Sequence, residues 1–141
     1  MQIMDNTDNA LYISIHQNKY SIEKYSGTQV FYSPKTREES ALLAQSIQDS
    51  IVNTLQNNNT RQIKECGTSV FVMYNAVKPS VLVECGFLSN NKETELLKTT
   101  EYQKKIAFCN LFFFANKEIA SVCETTNLHM EILIIWVKQL T

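Results

Sequence analysis

Two short apolar runs constrain the fold more than any other feature of this sequence. Residues 10–15 read ALYISI and Ser80–Glu84 reads SVLVE, and neither run shows the strict alternation of apolar and polar residues that a half-exposed strand has. Runs of this kind are typical of strands that are covered on both faces, as in sheets flanked by helices. We therefore predict that both runs are buried strands of an α/β domain.

The rest of residues 16–115 supplies further strands and the helices that would cover them. A helix is predicted from about residue 38 to residue 56, because apolar residues recur every four positions and form one face. These residues are Leu43, Ile47, Ile51 and Leu55. Strands are also predicted at residues 27–32 and Ser69–Tyr74, and helices at about 91–99 and 101–115. This order predicts a mixed, mostly parallel sheet with helices on both faces.

Composition argues against several classes of function. The 141 residues carry a net charge of −1 and contain no stripe dense in Lys and Arg, so nucleic-acid binding is not expected. Neither of the common glycine-rich phosphate-binding motifs is present. The longest apolar block, Ile132–Val137, is far shorter than the ~20 residues that span a bilayer. Residues 1–9 lack the pattern of a signal peptide. The four cysteines form no Cys-x-x-Cys pair, which favours incidental thiols over a disulfide framework.

The last part of the chain, residues 110–141, differs from the rest. It opens with an unbroken cluster of apolar residues at 111–114, and residues 128–140 are apolar around most of a helical wheel. Two interpretations remain open for this tail. It forms a helix that docks on the domain or on a partner, or it is irregular and prone to aggregation.

Two residues, His16 and Glu84, stand where the predicted interior strands end. If these strands are parallel, both side chains emerge at the same edge of the sheet, which is where open α/β sheets bind ligands. An imidazole and a carboxylate that meet there are typical components of a catalytic zinc site. The alternative is that both are structural. The chain has only one other histidine, His129, whereas a self-contained catalytic zinc site needs three protein ligands.

Other catalytic groups have less support. No G-x-S-x-G sequence surrounds any serine, so a serine hydrolase is not expected. A nucleophile pair of Cys85 with His16 is conceivable. However, Cys85 directly follows Glu84, and successive strand residues point to opposite faces.

Four local strings, in their order and spacing, resemble a known family. They are ISIHQN at 13–18, GTQVFY at 27–32, VLVECGFLSN at 81–90 and YQKKIA at 102–107. Over residues 10–109 the chain is similar to the zinc-dependent N-acetylmuramoyl-L-alanine amidases, and most similar to the sporulation-type, spore-cortex members. The resemblance implies that residues 1–109 are the C-terminal part of an amidase catalytic domain, and that residues 110–141 are a divergent tail.

The resemblance also implies a chemistry. His16 matches one of the three ligands of the family's Zn²⁺, and Glu84 matches its catalytic carboxylate. The expected reaction is hydrolysis of the amide between N-acetylmuramic acid and L-Ala of the stem peptide, by water that zinc activates. Peptidoglycan would be the substrate, and the site of action would be extracytoplasmic, in the cell wall or spore cortex.

The chain departs from the family pattern at its start. The family places another zinc-binding His and a zinc-binding Glu upstream of the SIH motif, whereas the 15 residues before His16 contain neither. We therefore expect a truncated domain that lacks its first strand and exposes a sheet edge. The alternative function is an inactive fragment or a peptidoglycan-binding remnant, which a complementary fragment or accessory protein would complete.

Overall fold

The computed structural model describes residues 6–7 and 10–111, together with the backbone of residues 131–136. The strands of this part of the chain are β1 (Ala10–Asn18), β2 (Gln29–Tyr32), β3 (Lys64–Glu65), β4 (Ser80–Phe87) and β5 (Glu131–Trp136). Its main helices are α1 (Arg37–Leu55), α2 (Phe71–Asn75), α3 (Asn91–Leu97) and α4 (Thr100–Leu111).

The five strands form one mixed sheet in the order β3-β2-β4-β1-β5. β1 pairs in parallel with β4 on one side and with β5 on the other. β2 is parallel to β3 and antiparallel to β4. The predicted mixed and mostly parallel sheet is therefore confirmed. The two interior apolar runs lie side by side at its centre as β1 and β4.

The two faces of the sheet carry separate apolar clusters, because successive strand residues point to opposite sides. On one face, α1 and α4 cover Ile13, Ile15 and Val83 through helix residues such as Ile47 and Ile106. On the other face, Tyr12 and Leu82 pack with Cys66, Met73 and Ala76. Helices therefore lie on both faces, and among residues 10–111 the second face is covered by the short helix α2.

The prediction of a strand at Ser69–Tyr74 is wrong. Residues 71–75 form α2, one turn of helix that follows a turn in which the Val70 amide donates to the Gly67 carbonyl at 3.1 Å. The segment is rich in β-forming residues, but such preferences yield to tertiary context. Here the helical turn buries Met73 in the second apolar cluster and leaves Phe71 65% exposed.

Neither interpretation of the tail holds for residues 131–136, which form β5 rather than a helix or an irregular segment. Their sequence, EILIIW, is rich in β-branched residues, and the backbone pairs with Ala10–Ile15 of β1. β1 is therefore flanked by a paired strand on each side, and β3 and β5 are the outer strands of the described sheet. The remainder of the tail from residue 112 onward lies outside the described residues. Within the described part of the chain, no helix is both long enough and apolar enough to cross a bilayer.

Candidate active site

His16 and Glu84 are partners in the register of the sheet. β1 and β4 run in parallel, and the Cα atom of His16 lies opposite that of Glu84. Neighbouring strands are ~4.8 Å apart, so the two side chains leave the sheet as close neighbours. They stand near the carboxyl ends of both strands, on the same side of the sheet as Tyr12 and Leu82. The two side chains therefore lie together at the same edge of the sheet, as the sequence predicts.

The Glu84 carboxyl group is buried without a full set of partners. Its Oε2 atom has no hydrogen-bond partner among the described residues. Burial raises the pKa of Glu84 to about 7, because the charged form loses its hydration. A carboxyl group with a pKa near neutrality can both accept and return a proton. A buried acceptor without a partner costs stability, and such costs are common at functional sites.

His16 offers one nitrogen ligand but not a complete metal site. Its side chain is half-buried, and this burial lowers the pKa of the imidazole. The neutral ring is the form that binds metals. However, residues 6–7 and 10–111 contain no group of three or more His, Cys, Asp or Glu side chains that could hold a metal ion. Catalytic zinc needs three protein ligands, so the described residues alone do not fit it.

Gln29 is a third residue in the same row of the sheet, and the sequence analysis missed it. It lies opposite Glu84 in the antiparallel pair of β2 and β4. Its Nε2 atom donates to the Gln62 carbonyl at 2.9 Å, and its Oε1 atom accepts from Nη1 of Arg61 at 3.3 Å. The row across β2, β4 and β1 is therefore Gln29, Glu84 and His16. Only the strand register reveals this row, and periodicity in the sequence does not.

Glu93 fixes the end of β4 close to this row. Its Oε2 atom accepts from the Phe87 amide at 2.7 Å, and its Oε1 atom accepts from the Gly27 amide at 2.8 Å. Asn90 caps α3 by accepting from the amides of Lys92 and Glu93. Glu93 therefore joins the strand that carries Glu84 to the loop before β2.

Cys85 does not take part in the row. It is 2% exposed within the cluster on the α1 and α4 face, opposite to the face of Glu84. Burial raises the pKa of its thiol to about 12, which keeps the thiol protonated and poorly nucleophilic. The alternative of a Cys85 and His16 nucleophile pair is therefore excluded by geometry. Cys66, Cys85 and Cys109 are free thiols, and all three are buried.

Comparison with known proteins identifies the family. The sequence profile of the N-acetylmuramoyl-L-alanine amidase family, Amidase_3, matches residues 1–109. Because this match spans most of the chain, the chain belongs to that family. The resemblance proposed from the four local strings is thus confirmed.

Individual relatives support the same assignment. The germination-specific N-acetylmuramoyl-L-alanine amidase of Bacillus subtilis (strain 168) is 39% identical over 107 residues, which is 76% of this chain and 44% of that protein. The solved CwlD amidase from Clostridioides difficile, in complex with the GerS lipoprotein, is 36% identical with a TM-score of 0.77. That match covers 86% of this chain and 59% of the solved one. The chain thus spans about half the length of these relatives.

A more distant structure shares the fold. The amidase AmiC2 of Nostoc punctiforme is 20% identical with a TM-score of 0.69, and the match covers 87% of this chain and 63% of that one. At this identity the likeness concerns the arrangement of strands and helices. It agrees with the α/β sheet described above.

Proposed function

We propose that this chain is part of the catalytic domain of a peptidoglycan amidase that acts outside the cytoplasmic membrane. Residues 1–109 are the C-terminal part of that domain, and residues 110–141 are a divergent tail. The bond cut is the amide between N-acetylmuramic acid and L-Ala of the stem peptide. The observation that carries the proposal is the pairing of His16 with a buried Glu84 whose Oε2 atom has no partner within the described chain.

Glu84 is proposed as the group that moves the proton. It takes a proton from the attacking water and delivers it to the nitrogen of L-Ala as the amide bond breaks. Burial supports this role, because a carboxyl group with a pKa of about 7 holds or releases a proton at neutral pH with little cost. Gln29 lies opposite Glu84 on β2, on the side of Glu84 away from His16.

Zn²⁺ is the metal that we propose for this site, with His16 as one of its ligands. The described residues supply no group of three ligands. The other ligands are therefore expected from outside the described residues. An accessory protein is a further proposal, since the related CwlD amidase was solved with a lipoprotein bound.

The alternative function is an inactive fragment or a peptidoglycan-binding remnant. The lack of a three-ligand group among the described residues favours this alternative over an autonomous enzyme. Binding of peptidoglycan needs no metal, so metal content separates the two functions.

The test combines metal analysis with hydrolysis of purified muropeptides. Zinc is quantified in the 141-residue chain and in the variants His16→Ala and Glu84→Gln, and release of stem peptides is followed by mass spectrometry. The matched control is Glu95→Gln, which changes an exposed carboxylate on α3. An autonomous amidase binds one zinc per chain, loses it with His16→Ala, and keeps it with Glu84→Gln while hydrolysis stops. A parent chain that binds muropeptides without zinc and releases no stem peptide is the remnant instead.

A further inference from the structure

A small cavity lies at the same edge of the sheet as the row of Gln29, Glu84 and His16. Its volume is about 180 Å³, and it is lined by Asn18, Tyr20, Tyr25, Gln29, Arg61 and Phe87. Asn18 and Phe87 stand at the carboxyl ends of β1 and β4, where they are register partners. Gln29 belongs both to the cavity lining and to the row, and Glu84 is its register partner on β4.

Arg61 is held rigidly in the wall of this cavity. Its guanidinium lies over the Phe87 ring at 4.6 Å from the centroid and over the Tyr25 ring at 5.8 Å. Its Nε atom donates to the Ser26 carbonyl at 2.6 Å, and its Nη1 atom donates to Oε1 of Gln29 at 3.3 Å. Stacking and hydrogen bonding together fix the plane of the guanidinium, so little freedom is lost when a ligand binds.

The positive charge of Arg61 has no acidic partner within the described chain. The ion pairs formed there join Arg37 to Glu65, and join two lysines to glutamates on α3 and α4. A guanidinium has five N–H donors, and the two contacts above use only two of them. A fixed, half-buried guanidinium with spare donors is suited to hold a carboxylate through two hydrogen bonds.

We propose that Arg61 binds a free carboxylate of the stem peptide, next to the L-Ala residue whose amide is cut. The proposal rests on the proposed function. Arg61 donates to Gln29, and Gln29 is the register partner of Glu84, so the guanidinium lies on the β2 side of the proposed proton-transfer group. A second residue that is linked through its γ-carboxyl leaves its α-carboxylate free for Arg61. Amidation of that carboxylate removes the charge, so the cavity selects unamidated stems.

The test is a binding comparison with two probes that differ only in this group. They are N-acetylmuramoyl-L-Ala-D-glutamate and its α-amide, N-acetylmuramoyl-L-Ala-D-isoglutamine, titrated calorimetrically against the full 141-residue chain. The acid is expected to bind at least about tenfold more tightly than the amide. Arg61→Gln should abolish this preference, and Arg61→Lys should retain only part of it, because an ammonium lacks the planar fork. Arg37→Gln, which removes a solvent-exposed arginine, should leave the preference unchanged.

Several results would overturn the proposal. These are equal binding of the two probes by the parent chain, binding of neither probe, or an undiminished preference for the acid in Arg61→Gln. Circular dichroism verifies that each variant is folded. If Arg61→Gln does not fold, the weakened preference expected of Arg61→Lys is the test. The two proposals fail separately. If the chain prefers the acid but does not hydrolyse muropeptides, the carboxylate site is supported and the amidase function is refuted. If the chain hydrolyses muropeptides, loses this activity with Glu84→Gln and shows no preference, the amidase function is supported and the carboxylate site is refuted.

Discussion

The side chain of Gln48 on α1 satisfies the backbone of Val30 on β2. Its Oε1 atom accepts from the Val30 amide at 3.0 Å, and its Nε2 atom donates to the Thr28 carbonyl at 3.1 Å. β3 is only two residues long and pairs with Phe31 and Tyr32, so no strand of the described chain pairs with β2 before Phe31 on that side. The helix therefore supplies the hydrogen bonds that a longer strand would give.

Replacing Gln48 by Leu should destabilise the fold. Gln48 is 2% exposed, so the change leaves the buried Val30 amide without its acceptor, whereas the Thr28 carbonyl keeps its bond from Nδ2 of Asn59. A buried donor without a partner costs about 1–3 kcal/mol, so the free energy of unfolding should fall by about that amount. Urea unfolding followed by circular dichroism measures the loss. The control is Gln45→Ala, because Gln45 bonds only to exposed Asp49 on the same helix. Equal effects of the two changes would contradict this account.

Glu93→Ala should also reduce stability, and more than other glutamate substitutions on α3. The change removes the acceptor of the Phe87 and Gly27 amides, and the two lost charge-assisted bonds predict a fall of about 2–4 kcal/mol in the free energy of unfolding. Glu95→Ala is the matched control, since Glu95 forms only an exposed ion pair with Lys98 and such pairs contribute little. Thermal unfolding of the three proteins tests the order, and a similar loss in both variants would argue against the role of Glu93.

Gly27→Ala should be poorly tolerated. Gly27 has φ of +90°, a conformation that L-residues with a side chain rarely adopt, and an added Cβ atom would lie 2.6 Å from Oδ1 of Asn59. The strain and the overlap together should lower the free energy of unfolding by about 2 kcal/mol or more. Gly67→Ala tests the specificity of the effect. The nearest atom to a Cβ there is Oγ of Ser69 at 4.0 Å, so that variant should unfold near the parent midpoint.

Cys66 and Cys85 should resist alkylation in the folded chain. Burial raises the pKa of Cys66 to about 11 and that of Cys85 to about 12. The thiolate is the reactive form, so iodoacetamide at pH 8 should label both far more slowly than in urea. Because the pKa of both thiols is higher in the folded chain than in the unfolded chain, the unfolded chain loses these protons at a lower pH. Stability from these groups is therefore complete below pH ~9 and is lost as the pH rises towards 11–12. Mass spectrometry of tryptic peptides gives the labelling of each cysteine.

Part of the site could be predicted from the sequence, and part could not. His16 and Glu84 follow apolar runs, and the ends of two parallel strands must meet at one edge of the sheet. Gln29 and Arg61 gave no such signal. The position of Gln29 depends on the register of an antiparallel pair, and that of Arg61 depends on the path of a loop after α1. Neither register nor loop path has a periodic pattern in the sequence.

The errors in the predicted fold have a similar cause. Residues 69–74 and 128–140 are apolar enough to suit a strand or a helix, and only their neighbours decide between the two. A helical turn at Phe71–Asn75 buries Met73 against the second face of the sheet, whereas Glu131–Trp136 meets an unpaired side of β1 and extends. Local sequence preference therefore did not distinguish strand from helix in either segment, and packing against the sheet determined which one formed.

The placement of β1 between β4 and β5 has a consequence for how the chain folds. β1 lies near the start of the described chain, and both of its partners lie far along the sequence. Closing such long loops is entropically costly, and proteins dominated by distant contacts fold slowly. During synthesis, His16 leaves the ribosome long before Glu84 exists. The pair of His16 and Glu84 is therefore assembled late, after α1 and its loops have already been made.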